Sequence, residues 1–468
     1  MFEKIKTFFN QIFTQRRTVD MTVGSPLKLI LFFAIPMFVG NIFQQMYNIF
    51  DTMVAGYALG DDVIAAISST TQFSFLIIGF ANGMNSGFGM MIARAFGNKD
   101  PYKVKHTVAM ALLLNIVSTV IFTTLAVSMM RRMLVFLKTP ADIFQDAYAY
   151  AIIIVAGLCT NLFFNMGSGM MNAVGNSTKP LLFLIISCFI NISLDVLFVV
   201  VLPFFGVSGL ALATVIAQGI SAVMCFVHVW KKYPELVPGK EHFRIDWKYL
   251  LDMFGTGISM GFTGSIYAIG SVAMQGSINS LGKTYITANA DARKLLSLGM
   301  QPLSTSATAT ATFASQNYGA GKYDRVTKGF RDVILVGFAW TAVTTVFIYL
   351  CAPFMVRIMT GTDNLEIISN AHLFLKLNYP FYLALGPLFV LRMGLQAIGS
   401  RVMPVISSMI ELFGKLVSAF WFVPTFGFVA VCLTEPVLWL ACAIWLAIAY
   451  MIYRRRLKLR VQQAQSAM

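Results

Sequence analysis

Two aspartates lie inside apolar segments that are long enough to cross a lipid bilayer. Asp51 falls within AIPMFVGNIFQQMYNIFDTMVAG, and Asp195 falls within FINISLDVLFVVVL. A carboxylate in hydrocarbon costs about 3 kcal/mol on insertion scales, so it is retained mainly where it faces a polar cavity, a bound ion or a proton path. The apolar segments indicate a membrane protein, and the acids inside them favour ion-linked transport.

Composition supports the same class of fold. The 468 residues are 57% hydrophobic and only 12% charged, which excludes an ordinary water-soluble domain. Because a spanning helix needs about 20 apolar residues, the sequence predicts an all-α polytopic protein with twelve transmembrane helices. The predicted helices cover residues 27–51, 63–92, 104–129, 142–168, 178–202, 207–230, 249–280, 286–314, 328–352, 366–397, 403–423 and 428–453.

The chain contains an internal repeat. ARAFGNKDPYKVKHT resembles SQNYGAGKYDRVTKG, with Gly97 opposite Gly319, and AVGNSTKP resembles AIGSRVMP, with Gly175 opposite Gly399. Each copy holds six predicted helices, an even number, so the two lobes share one topology, as parallel transporter repeats do. We expect an N-terminal segment at 1–26, an N-terminal lobe at 27–230, a linker at 231–248, a C-terminal lobe at 249–453 and a basic tail at 454–468.

The net charge of +15 is a topology signal. Most lysines and arginines fall in the two tails and in the loops on the same side as the N-terminus. The positive-inside rule then predicts a multi-pass protein of the plasma membrane with both termini cytoplasmic. We expect anionic lipid headgroups rather than nucleic acid as the partner of this charge, and a monomer as the assembly. The opposite loops hold only Arg131, Arg132, Lys138, Lys283 and Arg357.

Four polar residues form the predicted coupling site: Asp51, Asn191, Asp195 and Thr214. Asn191 and Asp195 are four residues apart and therefore share a helix face. Two carboxylates in a low-dielectric site are accommodated by a shared proton or by a bound sodium ion. An asparagine carbonyl and a threonine hydroxyl add the neutral oxygens that suit a hard cation. The alternative for Asp51 is a hydrated position near the extracellular end of the first helix.

The repeat predicts that ion coupling is asymmetric. Asp51 corresponds to Ala273 in the second copy, and Asp195 corresponds to a position near Ala419. The second lobe therefore lacks both acids at the matching places.

Several motifs together resemble the multidrug and toxic compound extrusion (MATE) transporters. They are Pro36 with Gln44, Tyr47, Asn48 and Asp51 in the first helix, NISLD from Asn191, GVSGLALAT from Gly206 and ASQNYGAGKYDRV after the eighth helix. The resemblance runs from about Pro26 to Arg456. It implies two six-helix lobes that open alternately to the two sides of the membrane and export organic molecules, often cationic and amphiphilic, against protons or sodium ions.

The resemblance also implies roles for particular residues. Pro36 is expected to be a hinge, because a proline removes a backbone hydrogen bond from the first helix. Some family members carry acids in helices 7 and 10 for sodium, whereas here the interior of helix 7 (ISMGFTGSIYAIGSVAMQGSI) has none and helix 10 offers Lys376 and Arg392 instead. The chain thus resembles the branch that couples through its N-terminal lobe.

A cavity for flat, greasy ligands is expected from the 27 methionines and 41 phenylalanines, since thioethers adapt in shape and aromatic faces attract cations. Most of these side chains face lipid or neighbouring helices. The candidates for the substrate cavity are Gln44, Met46, Tyr47, Asn48, Phe50, Asn165, Tyr267 and Glu435.

The other intramembrane charges are interpreted as structural. Glu411 and Lys415 are four residues apart and are expected to pair on one helix, which lowers the cost of burying them. Arg293 and Arg392 are also interpreted as structural.

Sequence motifs for chemistry are missing. There is no Walker sequence, the four histidines stand alone, and the six cysteines have no paired spacing. We therefore expect no enzyme activity and no cofactor beyond a coupling proton or sodium ion. The main alternative is a flippase of lipid or lipid-linked oligosaccharide, which should line its cavity with basic residues, whereas the basic residues within the membrane are dispersed along this sequence. A membrane transferase should instead show clustered acids or histidines at one membrane face, and a channel should show a filter loop.

Overall fold

The computed structural model describes residues 18–136, 139–360 and 364–466, and all regular structure within these ranges is helical. The helices are α1 Pro26–Leu59, α2 Asp61–Gly97, α3 Pro101–Phe136, α4 Phe144–Ala156, α5 Leu158–Ala173, α6 Thr178–Asp195, α7 Gly206–Lys232, α8 Trp247–Asn279, α9 Lys283–Gly319, α10 Tyr323–Thr360, α11 Leu365–Asn378, α12 Tyr382–Ala397, α13 Val402–Val417, α14 Val423–Phe426 and α15 Phe428–Ser466.

These helices account for the twelve predicted segments. Ten segments are long and apolar enough to cross a membrane, two of them formed by consecutive helices, α11 with α12 (Leu365–Ala397) and α13 with α14 (Val402–Phe426). The pair α4 and α5, bent by 40° at Gly157, makes an eleventh span. The predicted segment 286–314 lies within α9, a continuous helix that is too rich in serine and threonine to be recognised by hydropathy. Twelve helical segments arranged as two sets of six are thus the architecture of the chain.

The chain forms two compact units. The first comprises Met1–Ser265 together with Ser315–Tyr323, and the second comprises Ile266–Ala314 and Asp324–Met468. The first half of α8 therefore belongs to the first unit. The lobe and linker boundaries given by the sequence remain predictions.

Helix packing in the first unit brings the polar segments together. Helix α6 lies between α1 and α7, and α5 packs against both α2 and α7. A core of methionine, alanine and phenylalanine side chains, with Phe88 and Met110 fully buried, fills the space between α2, α3 and α5. Pro36 is buried within α1, which continues as one helix past it.

A π-helical turn follows the same helix in each repeat. Val196–Val201 comes directly after α6, and Ser418–Phe422 comes directly after α13. Such turns change the direction of side chains and are frequent at functional sites. The first of them starts at the residue after Asp195.

The paired glycines of the repeat make reciprocal contacts within the first unit. A Cβ on Gly97 would overlap the carbonyl oxygen of Gln316, and a Cβ on Gly319 would overlap that of Arg94. Gln316 is the repeat equivalent of Arg94, so each loop closes on the other in the same way. Only glycine permits this approach of the two backbones.

Candidate functional site

Asp51, Asn191 and Asp195 meet in the first unit. With the Asn191 amide oriented to satisfy its neighbours, Nδ2 lies 2.9 Å from Oδ1 of Asp51 and 3.1 Å from Oδ2 of Asp195. The two carboxyl groups also lie within electrostatic range of each other, and a shared proton or a cation would relieve their repulsion. Asn191 therefore bridges two acids from different helices.

Tyr47 and Thr214 complete this arrangement. The Tyr47 hydroxyl donates to Oγ1 of Thr214 at 3.0 Å and also lies beside Asp51. Tyr47 was predicted as a cavity residue, and the structure places it against the coupling residues. We call Tyr47, Asp51, Asn191, Asp195 and Thr214 the acid site.

Tyr150 is a neighbour of the acid site that sequence reasoning missed. Its hydroxyl lies within electrostatic range of both Asp51 and Asp195, and it reaches them from α4. Tyr150 is far from both aspartates along the sequence, and no motif marks it, so no signal for this contact was present in the sequence.

Burial at the acid site is uneven. Asn191 and Asp195 are fully buried, whereas Asp51 is partly exposed. Oδ1 of Asp195 has no hydrogen-bond partner, so one buried acceptor is open to a proton or a small cation. The carboxylate, amide and hydroxyl oxygens match the ligands of a hard cation. Within the described residues, no group of three His, Cys, Asp or Glu side chains forms a transition-metal site.

The remaining cavity candidates on α1 are exposed on two sides of that helix, Gln44 and Asn48 on one and Met46 and Phe50 on the other. Met46 is 45% exposed and Phe50 is 38% exposed, and Gln44 and Asn48 are exposed as well. These four side chains are available to a ligand or to lipid. Their assignment to a substrate cavity remains a prediction.

Asn165 belongs to an amide cluster in the same unit. Its Nδ2 donates to Oδ1 of Asn82 at 3.0 Å and to the carbonyl oxygen of Asn161 at 2.9 Å. Sequence reasoning selected Asn165 but missed Asn82 and Asn161. Asn161 could have been found from the sequence, because it lies four residues before Asn165 on one helix and therefore on the same face.

A second set of buried charges lies in the second unit. Nζ of Lys415 is 3.3 Å from Oε1 of Glu411, which confirms the predicted pair, and Nη2 of Arg392 is 3.0 Å from Oε2 of the same carboxylate. Arg392 also donates to Oγ of Ser407 at 3.0 Å. Glu411 is thus shared between two cations.

Glu435 and Tyr267, the two cavity candidates of the second unit, belong to this set. Glu435 forms an ion pair with Nη1 of Arg293 at 3.0 Å, and Nζ of Lys415 lies 3.8 Å from the centroid of the Tyr267 ring. We call Arg293, Arg392, Glu411, Lys415 and Glu435 the charge cluster. The prediction that the basic residues within the membrane are dispersed was wrong for Arg293, Arg392 and Lys415. Helix packing brings these three into one cluster.

The MatE family model matches the chain twice, at residues 36–197 and 259–421. "Probable multidrug resistance protein YoeA" of Bacillus subtilis is 25% identical over 393 residues, covering 82% of this chain and 83% of that protein. "Probable multidrug resistance protein YpnP" of the same organism is 23% identical, covering 84% and 88%. The solved structure "Crystal structure of MATE in the bent conformation" matches with a TM-score of 0.86 at 22% identity, covering 96% of this chain and 98% of that one.

The fold and the acid site define a polytopic membrane transporter built from a duplicated six-helix unit. The chain belongs to the MatE family, and one matched range falls within each copy of the repeat. Family members are transporters, so the chain is a transporter and not an enzyme.

Proposed function

We propose that this protein is a secondary active multidrug exporter that exchanges organic compounds for protons or sodium ions at the plasma membrane. The observation that carries the proposal is the buried bridge from Asp51 through Asn191 to Asp195, which unites two acids inside apolar helices. Relatives named as multidrug resistance or multidrug export proteins support the substrate class.

The acid site holds the coupling ion in this proposal. A proton shared by the carboxyl groups, or a sodium ion held by Asp51, Asn191, Asp195 and Thr214, neutralises the buried charge. Asn191 suits both cases, since its amide nitrogen donates to the carboxylates and its oxygen, after rotation of the amide, coordinates a cation. Ion loading then alters the contacts of α1 with α6 and α7.

Substrate binding is assigned to the exposed α1 side chains Gln44, Met46, Asn48 and Phe50 and to the asparagine cluster around Asn165. Pro36 is the hinge of α1, because the helix lacks one backbone hydrogen bond there. Solved structures similar to this chain include a MATE protein "in the bent conformation", one "in the straight conformation" and a "P26A mutant" numbered for that other protein. They support a role for a proline and for helix bending.

Transport by everted vesicles tests the coupling. A pH gradient and a sodium gradient are imposed separately on vesicles with the wild type, Asp51→Asn or Asp195→Asn, at matched expression. We expect both variants to fall to the background of vesicles without the protein, whereas Asp62→Asn, the same change at an exposed position in α2, keeps full transport. Wild-type transport in both acid-site variants would refute the assignment.

Orientation is proposed from the charge bias, with both termini and the 231–248 linker in the cytoplasm. In a cysteine-free background, Lys240→Cys should resist a membrane-impermeant thiol reagent in intact cells, while Lys283→Cys should be labelled. Both side chains are exposed, so accessibility to the reagent reports sidedness. The reverse labelling pattern would invert the topology.

A flippase remains the second candidate, and the charge cluster bears on it. Arg293, Arg392 and Lys415 converge, as a pyrophosphate site would need, but carboxylates pair with them. The cluster thus offers paired rather than free cations.

A further inference from the structure

The helices that carry Asn191 and Lys415 correspond residue by residue. α6 begins at Thr178 within the segment AVGNSTKP, and α13 begins at Val402 within the matching segment AIGSRVMP. Both helices run without interruption to the π-helical turns that follow them, and the two family matches end at equivalent positions, 197 and 421. Counting along the helices places Lys415 at the position of Asn191.

The surroundings of Lys415 resemble a loaded cation site. Its side chain is 2% exposed, its ammonium group is ion-paired with Glu411, and Glu435 is close enough to act on the same charge. The face of the Tyr267 ring covers the ammonium, and aromatic faces attract cations. One carboxylate thus pairs with the ammonium and a second lies within electrostatic range of it, much as Asp51 and Asp195 lie on either side of Asn191 in the first repeat.

The helix opposite Lys415 provides room for its side chain. A Cβ on Gly270 of α8 would lie 2.8 Å from Cδ of Lys415, so a larger residue there would obstruct the aliphatic stem. Nζ itself has no hydrogen-bond partner, which leaves ion pairing and the aromatic face to hold it. The packing of α8 against α13 therefore fixes the position of the ammonium, unlike that of a lysine on a protein surface.

The charge balance opposes any further cation. The charge cluster contains three cations, Arg293, Arg392 and Lys415, against two carboxylates, Glu411 and Glu435. An added sodium ion or proton would increase an excess of positive charge that lies mostly on buried side chains, where electrostatic repulsion is weakly screened.

We propose that the Lys415 ammonium is a built-in substitute for the coupling ion in the second repeat, which keeps that repeat permanently loaded and confines ion exchange to the acid site. This inference rests on the proposed antiport function and deepens it, because it sets one coupling site per chain. It also accounts for the buried charges of α13, Glu411 and Lys415, at positions where α6 has Ser187 and Asn191.

The first arm of the test introduces a lysine at the matching position of the first repeat. Asn191→Lys would place an ammonium between Asp51 and Asp195. We expect a folded protein whose substrate affinity no longer responds to pH or sodium and whose Tm without ions exceeds that of Asn191→Leu by about 5 °C. The titratable and charged groups facing position 191 are Tyr47, Asp51, Tyr150, Cys188 and Asp195. A response to ions that survives Asn191→Lys, or misfolding where Asn191→Leu folds, contradicts the proposal.

The second arm removes the Lys415 ammonium from the second repeat. Lys415→Asn is made in an Asp51→Asn/Asp195→Asn background, so that the acid site is silent, and Tm is measured in sodium chloride and in choline chloride. We expect sodium to raise Tm by about 5 °C in this variant, because a small cation replaces the lost ammonium. Lys415→Arg, which keeps the charge, should show no sodium effect. A variant that unfolds in choline and recovers in sodium also supports the proposal.

Failure of this inference is distinguishable from failure of the proposed function. If Lys415→Asn is equally stable in both salts, or unfolded in both, the ammonium is no substitute for an ion, and the acid site keeps its role. If the background protein with Lys415 intact still responds to sodium or pH, ions bind outside the acid site, and both proposals are wrong.

Discussion

The acid site and the charge cluster occupy matching regions of two copies of one fold, yet they solve the burial of charge differently. In the acid site, two carboxylates share a neutral amide, and one oxygen of Asp195 has no partner. In the charge cluster, each carboxylate has a fixed cation within 3.0 Å. An incompletely satisfied site is suited to exchange ions, whereas a paired one is suited to hold helices together.

The comparison predicts that mutations in the two regions have different consequences. Glu411→Ala should reduce the stability of the folded protein by about 3–5 kcal/mol, because Arg392 and Lys415 would both lose their shared carboxylate in a buried place. Stability is measured as Tm and as unfolding by denaturant in detergent. Glu366→Ala, at an exposed carboxylate on α11, should change it by less than about 0.5 kcal/mol.

Asp195→Asn should be as stable as the wild type, or more stable, in the same assay, since it removes a charge that has no fixed counter-ion. If Asp195→Asn proves as destabilising as Glu411→Ala, the distinction between an exchange site and a structural site is wrong.

A smaller effect is expected from the hinge. Pro36→Ala restores a backbone hydrogen bond in α1 and should stiffen that helix, so turnover should slow several-fold while substrate affinity stays unchanged. Pro101→Ala is the control, because Pro101 is the first residue of α3, where no helical hydrogen bond is lost. Normal turnover in Pro36→Ala would remove the hinge from the mechanism and leave the acid site unaffected.

The smallest effect is expected at the edge of the acid site. Tyr47→Phe removes the 3.0 Å hydrogen bond to Thr214, and one such bond contributes about 0.5–1.5 kcal/mol. The ion concentration for half-maximal transport should therefore shift by about two- to tenfold. Tyr57→Phe, on the same helix but 88% exposed, should have no effect. Equal behaviour of the two variants would place Tyr47 outside the coupling site.

Much of the fold was predictable because hydropathy and repeat spacing act locally along the chain. The twelve segments, the duplication and the pair Glu411 with Lys415 all follow from such patterns. α9 shows where hydropathy alone falls short, since its serines and threonines hide a full-length helix.

Long-range packing was not predictable from the same patterns. Tyr150 joins the acid site from α4, and Arg293 reaches Glu435 across 142 residues, without any motif to mark either contact. Tyr267 was assigned to a substrate cavity because aromatic residues suit one, but its ring covers Lys415. Side-chain partners of this kind depend on how the helices pack. Helix packing leaves no periodic pattern in a single sequence from which such partners could be predicted.

Competition between ion and substrate at the acid site tests the central claim most directly. Substrate affinity is measured by titration on purified wild type and Asp195→Asn, across pH at constant sodium and across sodium at constant pH. If ion loading expels substrate, affinity in the wild type should fall as pH is lowered or as sodium is raised, and the linkage must be reciprocal. Asp195→Asn should flatten that dependence. Wild-type affinity that is independent of both ions, or an unchanged dependence in Asp195→Asn, would contradict coupling at the acid site.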